Sequence, residues 1–291
     1  MAVVNTNVNA SIAQNALVRN ERQMNTAMER LSTGQRINAA SDDAAGLAIS
    51  SRMTSQIRGL DVGIRNANDA ISMISTADGA LIEVTNMLQR MRELALQASN
   101  GTTTSADRDY LNSEYTKLLA EIERIATNTQ WNGGAILSGA ANGSSATVKF
   151  QVGANGGQTI AVNFGNFLQG NVASVSGAMG ALASSAAAID AGTSASAITT
   201  GSTAVTQLDS AITSVNSQRA TFGAAMNQLT YAVDNLANVK VNAEAARSRV
   251  LDTDYAKETS ELARTQIIQQ AGTAMLAQAN QLPQTVLSLL Q

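Results

Sequence analysis

The stretch from Val205 to Val250, VTQLDSAITSVNSQRATFGAAMNQLTYAVDNLANVKVNAEAARSRV, decides the fold class of this chain. Apolar residues recur in it at steps of seven, alternately three and four apart, which is typical of a helix that packs against other helices along a seam. A continuous helix of this length would extend for about 69 Å, so the pattern predicts a rod and not a compact globule. The first seam consists of Leu208, Val215, Phe222, Leu229, Leu236, Ala243 and Val250, and the second of Val205, Ile212, Arg219, Met226, Val233, Lys240 and Arg247.

Three cations occupy positions of the second seam where apolar residues are expected, namely Arg219, Lys240 and Arg247. A charged residue at such a position either specifies the register or the partner of the helix, or extends its charged head into solvent at the edge of a bundle. The sequence alone leaves both interpretations open.

The first half of the chain carries a matching pattern. A shorter helix is predicted to follow it, from Ser105 to about Ala126, with Thr104 or Ser105 as the N-cap. Three antiparallel helices of this kind can bury one another's stripes, so we predict a mainly α fold built as a long antiparallel coiled-coil rod. The seam in the first half consists of Leu60, Ala67, Ile74, Leu81, Leu88 and Ala95, flanked by Ile64, Ile71, Val84, Met91 and Ala98, and the stripe of the shorter helix consists of Leu111, Tyr115, Leu118, Ile122 and Ile125.

Both chain ends repeat the spacing of seven and predict a pair of N- and C-terminal helices. Gly34 and Ser41-Asp42-Asp43 separate the first end from the rod, and Asp252 to Asp254 separate the second, with carboxylates suited to starting a new helix. The stripe of the first end consists of Val3, Ala10, Leu17, Met24 and Leu31; that of the second consists of Ile268, Met275, Leu282 and Leu289, interleaved with Gly272, Ala279 and Val286.

The middle of the chain is different in kind. Alternating apolar residues on either side of a glycine-rich turn at Gly153 to Gly157 predict a small β-hairpin over 147–164. Residues 165–204 are mainly Gly, Ala, Ser and Thr, a composition compatible with a surface insert, a partly helical segment or a flexible one. Five segments are therefore predicted: 1–43 and 251–291 as the two halves of a terminal coiled-coil domain, 44–164 as the rod with the hairpin, 165–204 as a variable insert and 205–250 as the return helix of the rod.

The composition excludes most enzyme chemistry. The chain has no His and no Cys, so zinc fingers, Ser-His-Asp or Cys-His nucleophiles and haem or iron–sulfur ligand sets cannot be built. The pair Asp42 with Asp43 is interpreted as charges at a helix start and not as an acid/base couple. Asp252 with Asp254 does not fit a calcium-binding loop, because position 256 is Ala. We predict that the protein is not an enzyme and has no metal site or cofactor.

The charge balance argues against a nucleic-acid partner, and the hydropathy pattern argues against membrane insertion. The 19 basic and 22 acidic residues give a formal charge of -3 at pH 7, whereas a protein that neutralises phosphates needs a basic face. No stretch approaches the roughly 18 apolar residues of a membrane span, and the N-terminal residues lack the pattern of a signal peptide.

Six stretches of the chain resemble bacterial flagellin, the subunit of the flagellar filament. They occur in the same order as in that family and cover both ends of the chain, whereas the centre is shorter than in the larger flagellins, so the chain resembles a short form with a minimal outer domain. The stretches are LSTGQRINAASDDAAGLAIS from Leu31, RNANDAIS from Arg65, LQRMRELALQASNGT from Leu88, FQVGANGGQTI from Phe150, ARSRVLDTDYA from Ala246 and QQAGTAMLAQANQLPQTVLSLL from Gln269.

The resemblance implies a structural subunit that polymerises with itself into an extracellular filament for motility. It also implies export through the flagellar type III apparatus without a cleaved signal peptide, and partners in an export chaperone, the filament cap and the hook-junction proteins. Stripes that one subunit cannot bury would be buried by its neighbours. Such a seam for packing between subunits would consist of Leu17, Met24, Leu31, Ile268, Met275, Leu282, Val286 and Leu289.

Three alternatives to a filament subunit are open. A hook-filament junction protein shares flagellin-like ends, and a secreted coiled-coil adhesin or effector shares the helical pattern. An enzyme with an unrecognised carboxylate site is a third alternative, which the acidic pairs do not favour.

One surface patch has two interpretations. Spacing alone favours an ordinary solvated helix face around Arg90. The resemblance implies instead that Gln89, Arg90, Leu94 and Glu114 match positions read by the vertebrate Toll-like receptor for flagellin. On that interpretation, the planar fork of Arg90 would bond receptor oxygen atoms in pairs and Leu94 would add an apolar contact.

Overall fold

The computed structural model describes residues 7–139, 141, 145–168 and 194–288. It divides into two compact units, a terminal unit of Met1–Ile57 with Val241–Gln291 and a central unit of Arg58–Lys240. The predicted mainly α fold class is confirmed. The elements within the described residues are the helices α1 Val8–Thr33, α2 Ala44–Ala98, α3 Ser105–Asn128, α4 Ser194–Leu251 and α5 Tyr255–Ser288, and the strands β1 Gln130–Trp131, β2 Gly134–Ala135, β3 Thr147–Gln151 and β4 Thr159–Asn163.

The two long helices of the central unit bury the seams predicted for them. The ring of Phe222 on α4 lies 5.4 Å from the ring of Phe164, which follows β4, so the hairpin region contributes to the same core. Leu236 of α4 is only partly buried. The buried residues of the main seams are Leu60, Ala67, Ile74, Leu81, Leu88 and Ala95 on α2 and Leu208, Val215, Phe222 and Leu229 on α4.

The cations of the second α4 seam form contacts with α2. Arg219 Nε lies 2.8 Å from Asp78 Oδ1, and Lys240 Nζ lies 2.7 Å from Asp61 Oδ1. Of the two interpretations left open by the sequence, these pairs support a role in register. Because both pairs are partly exposed, each stabilises the fold by at most about 1 kcal/mol, and their main effect is to favour one antiparallel alignment.

The turn between α2 and α3 is closed by polar contacts with the backbone. Thr104 is the N-cap of α3 and forms a capping box with Asp107, as one of the two predicted alternatives states. Arg108 is 2% exposed, and its guanidinium donates from Nε to the carbonyl of Ala98 at 3.0 Å and from Nη2 to that of Asn100 at 3.3 Å. A cation is suited to this position, since the carbonyls at the end of a helix lack partners within the helix and carry partial negative charge.

The predicted β-hairpin is confirmed and packs closely on α2. Strands β3 and β4 pair antiparallel, with Val148 opposite Val162. The turn that joins them lies against Gly59 and Gly63, where a Cβ on Gly63 would stand 2.5 Å from the carbonyl oxygen of Val152. Asn66, one turn further along α2, donates a hydrogen bond to the carbonyl of Gln151 at 2.9 Å.

Two elements differ from the prediction. Helix α4 begins at Ser194, earlier than the predicted start of the return helix at Val205. The additional residues are mainly Ala, Ser and Thr, which supply no heptad stripe that would mark a helix. A second small hairpin, β1 with β2, turns through Asn132 and Gly133, both with positive φ. The Asn-Gly dipeptide is typical of this type of turn. Residues 169–193 of the predicted insert lie outside the described part of the chain.

Candidate functional site

The terminal unit pairs α1 with α5 in antiparallel fashion, largely through polar contacts. Asn20 is 4% exposed and donates from Nδ2 to the carbonyl of Thr265 at 2.8 Å, and Arg30 Nη1 lies 3.2 Å from Glu258 Oε1. The apolar part of the contact is narrow: Leu17 lies so close to Gly272 that a Cβ there would stand 2.6 Å from Leu17 Cδ2. The predicted pairing of the two chain ends is therefore present, with little apolar surface buried by it.

The predicted packing seam divides between two faces of this pair. Leu17, Met24 and Leu31 are partly buried. By contrast, Ile268 is 42% and Met275 is 67% exposed. Helix α5 contacts α1 through Gly272, which belongs to the interleaved row, and not through the stripe of Ile268 and Met275. The sequence does not reveal this contact, because glycine has no apolar side chain. The side chains of Leu282 and Val286, and the whole of Leu289, lie outside the described residues.

Further large apolar side chains of the terminal unit face solvent. Apolar surface of this extent, on a protein that otherwise buries its seams, marks an interaction site. Two helices alone cannot cover it, since each has only one face against the other. The exposed residues on α1 and α5 are Val8, Ile12, Val18, Met28, Ile267, Ile268 and Met275.

The carboxylates in the segments between the helices accept hydrogen bonds from backbone N–H groups. Asp43 Oδ1 accepts a hydrogen bond from the N–H of Gly46 at 2.8 Å, and Asp254 Oδ1 accepts one from Ala256 at 2.9 Å, so the helix-start interpretation is confirmed for these two residues. Asp42 accepts hydrogen bonds from the N–H groups of Ala39 and Asn38, and these bonds lower its pKa. A carboxylate held ionised in this way is a poor proton donor or acceptor near neutral pH.

Gly34 ends α1 and brings the two chain ends together. Its φ of 71° places it in the left-handed region that favours glycine, and its N–H donates to the carbonyl of Arg30 at 2.9 Å. Arg36 N–H donates to the carbonyl of Leu251 at 2.7 Å, and Thr253 N–H donates to that of Gly34 at 3.1 Å. These main-chain hydrogen bonds hold the segment between α1 and α2 beside the end of α4.

The predicted receptor patch is not one surface. Arg90, Gln89 and Glu114 are exposed, whereas Leu94 is 1% exposed and belongs to the core, so the expectation that Leu94 adds an outward apolar contact is wrong for the free subunit. Leu94 lies three residues after Met91 and four before Ala98, which places it on the buried face of α2. The heptad pattern carried this signal.

Arg90 is already engaged within the chain. Its Nε lies 2.9 Å from Glu114 Oε1 and its Nη1 lies 3.0 Å from Glu93 Oε2. Both hydrogen bonds raise the pKa of Arg90, and the bond to Glu114 has the larger effect. The patch is an exposed ion-pair cluster that links α2 to α3.

Neither a metal cluster nor a membrane span is found in the described part of the chain. No group of three or more carboxylates, His or Cys lies close enough there to hold a metal ion. None of the helices within residues 7–139 and 194–288 is both long and apolar enough to cross a bilayer.

Comparison with known proteins identifies the family. Residues 4–142 match the bacterial flagellin N-terminal helical region and residues 205–290 match the bacterial flagellin C-terminal helical region. The chain belongs to the bacterial flagellin family. Its function is that of a structural subunit of the flagellar filament, so the prediction that it is not an enzyme is confirmed by membership of a family of structural proteins.

Two full-length flagellins illustrate the relationship. The chain is 44% identical to a flagellin of Halalkalibacterium halodurans over 289 residues, covering 99% of this chain and 100% of that protein. It is also 44% identical to a flagellin of Xenorhabdus nematophila over 315 residues, covering 100% and 99%. Since flagellins form an extracellular filament, self-polymerisation and an extracellular location follow at this coarse level.

A solved structure shares the fold. A candidate flagellar hook-associated protein from Vibrio parahaemolyticus aligns over 72% of this chain and 100% of its own length, with a TM-score of 0.58 and 16% identity. At that identity the likeness shows the fold alone. The hook-junction alternative is not favoured, because both family models and the full-length relatives are flagellins.

Proposed function

We propose that copies of this flagellin polymerise through the outer faces of the α1–α5 pair. The observation that carries this proposal is the exposure of Ile268 and Met275, while the inner face of α5 already packs on α1 through Gly272. Heptad spacing continues the outer stripe to Leu282 and Leu289, and it continues the row of Gly272 to Val286. The stripe is therefore free to pack between subunits, beside the partly buried Leu17, Met24 and Leu31.

The energetic argument follows from apolar area. Burying one large apolar side chain stabilises an assembly by about 1.5–3 kcal/mol. The isolated pair gains little from its own narrow apolar contact, so most of the stabilisation of α1 and α5 comes from neighbouring subunits. Ordering of the chain ends and assembly are then one coupled event.

Electron microscopy of seeded polymerisation tests this proposal. The wild-type chain and Gln266→Asp, a control at an exposed polar position of α5, should form long uniform tubes. Met275→Asp and Leu282→Asp should form none, because an unpaired buried carboxylate costs several kcal/mol at each site and the filament repeats the defect in every subunit. Tubes of normal length from Met275→Asp would place this stripe outside the subunit contacts, and absence of tubes from the wild type would contradict polymerisation itself.

The other expected partners belong to the same proposal. The exposed apolar residues of α5 are suited to an export chaperone that covers them before assembly, and the chain is exported without a cleaved signal peptide through the type III apparatus. Growth then takes place at the cap, from a base formed by the hook-junction proteins. A pull-down of the chaperone with wild-type chain and Met275→Asp checks the first of these contacts.

The receptor patch is retained in a reduced form. We propose that the vertebrate Toll-like receptor for flagellin contacts Gln89, Arg90 and Glu114, with Leu94 supporting α2 from the core. The exposed Arg90–Glu114 pair favours this proposal, because a charge cluster that is already ordered loses little side-chain entropy on binding.

A further inference from the structure

The central unit carries a basic surface on α2, formed by Arg58, Val62 and Arg65. The three residues are four and three apart and therefore share one face of the helix, on the side away from the buried Leu60 and Ala67. Both arginines are exposed and Val62 is 45% exposed. Within the described residues, neither arginine side chain has a hydrogen bond or an ion pair.

A second surface of opposite charge lies on α4, formed by Tyr231, Asp234 and Asn238. Their spacing of three and four again defines one helix face. Tyr231 is 75% exposed, and Asp234 is exposed with no ion pair or hydrogen bond to another described residue. This acidic surface points away from the buried seam residue Leu229.

The two surfaces lie at the same level of the helix pair but cannot meet within one molecule. The ion pair of Asp61 with Lys240 aligns the antiparallel helices. Counting from it, Arg65 lies about two residues, or roughly 3 Å, from the level of Asp234. Because α2 and α4 face each other through their seams, residues on the outer side of each helix point away from the other helix.

We propose that the basic surface of one copy docks on the acidic surface of the next copy along the assembly. Charge complementarity identifies the partner: Arg58 and Arg65 meet Asp234 and the ring of Tyr231, which attracts a guanidinium over its face, while Val62 contributes the apolar contact. A contact of the basic surface with itself would bring together two faces that each carry a net positive charge. Since the two surfaces differ, each docked copy leaves one of each kind free, and the contact continues without closing.

Other anionic partners fit this surface less well. Asp69 lies one turn beyond Arg65 on the same face and is also exposed without a partner among the described residues. A polyanion would therefore meet a carboxylate within the patch, and the formal charge of the chain is -3. A second copy of this chain presents a single acid and neutral polar groups, which the mixed surface accommodates.

The inference rests on the proposed polymerisation, and a charge-swap experiment separates the two. Arg65→Glu is expected to raise the critical concentration for seeded polymerisation at least about tenfold, since two carboxylates then face each other. Asp234→Arg alone should have a similar effect, and the double variant Arg65→Glu/Asp234→Arg should return to within about threefold of wild type. Lys117→Glu, an equal charge change at an exposed position of α3, is the matched control and should behave as wild type. Circular dichroism of each monomer confirms that helicity is retained.

Cross-linking tests the direction of the contact. The chain has no cysteine, so Val62→Cys/Tyr231→Cys introduces the only thiols. Oxidation of assembled protein with copper phenanthroline should give a ladder of covalent dimers, trimers and longer chains, which dissociated monomer and the control Val62→Cys/Tyr110→Cys should not give. Dimers from Val62→Cys alone would overturn the head-to-tail contact.

The charge-swap outcomes distinguish the two hypotheses. Polymerisation of Arg65→Glu at the wild-type concentration, or failure of Asp234→Arg to restore it in the double variant, would overturn this contact while leaving filament formation intact. Failure of the wild type and of Lys117→Glu to polymerise would contradict the proposed function instead.

Discussion

Replacement of Gly63 by alanine should loosen the hairpin from α2, although alanine is the better helix former. A Cβ at this position would stand 2.5 Å from the carbonyl oxygen and 3.0 Å from the carbonyl carbon of Val152, whereas non-bonded heavy atoms settle at about 3.5–4.0 Å. The obstacle is backbone and not the end of a flexible side chain, so the hairpin must move by about 1 Å. Overpacking of this kind costs about 1–3 kcal/mol, against which the helix propensity of alanine returns about 1 kcal/mol.

The same helix provides a matched control. A Cβ at Gly79 would meet nothing within 4 Å, so Gly79→Ala gains the propensity without the clash. We expect Gly63→Ala to be less stable than Gly79→Ala by about 1–3 kcal/mol in the free energy of unfolding, which corresponds to a difference of about 2–12 °C in midpoint. Gly59→Ala, whose Cβ would stand 3.0 Å from the Cβ of Ala154, should lie between them.

Fluorescence of Trp131 is the assay suited to this comparison. It is the single tryptophan of the chain and packs partly buried against the core of the central unit, so it reports on that unit directly. Urea titration of the three variants and the wild type gives their stabilities on one scale. Equal stability of Gly63→Ala and Gly79→Ala would refute the close backbone contact.

Three further predictions use other parts of the chain. Hydrogen bonds from Thr104 lower the pKa of Asp107. The capping contribution of Asp107 is therefore complete above the ordinary Asp pKa of about 3.9, and it is lost as the pH falls through the lowered value. The difference in unfolding midpoint between wild type and Asp107→Asn should shrink below about pH 4, and a constant difference down to pH 2 would contradict this prediction. The amides of α1 and α5 should exchange rapidly in the monomer and slowly in the filament, and strong protection of Leu17 in the monomer would oppose coupled ordering. Monomeric Arg90→Ala should give a weaker response than wild type in a Toll-like receptor reporter assay at limiting dose; an equal response would leave Arg90 with only its structural pairing to Glu114.

The heptad spacing was sufficient to predict the long helices, because each seam repeats the same signal many times. The direction of a single residue is harder to predict: the family resemblance implies an outward contact for Leu94, whereas its spacing from Met91 and Ala98 places it on the buried face. The outer stripe of α5 was recognised from Ile268 and Met275, but nothing in the residues showed that Gly272 makes the contact with α1, because close helix packing there depends on the absence of a side chain.

Contacts that depend on three-dimensional proximity could not be predicted. Asp61 and Asp78 face their partners on α4 only once the antiparallel alignment is known. The four-residue spacing of Gly59 and Gly63 did contain a signal for close backbone approach, but not the identity of the hairpin that approaches. The exposure of each side chain must therefore be known before a residue that matches a family's binding position is given a role in binding.

The guanidinium of Arg108 has a consequence for how the molecule responds to its medium. Its partners are carbonyl oxygens, which neither titrate nor attract counter-ions as carboxylates do, and it is withdrawn from solvent. The exposed pair of Arg92 with Asp209 is by contrast open to screening at high ionic strength. In brine the bonds between α2 and α4 should weaken first, while the turn from α2 into α3 keeps its geometry. High salt would therefore loosen the sides of the central unit before the end at which two of its helices meet.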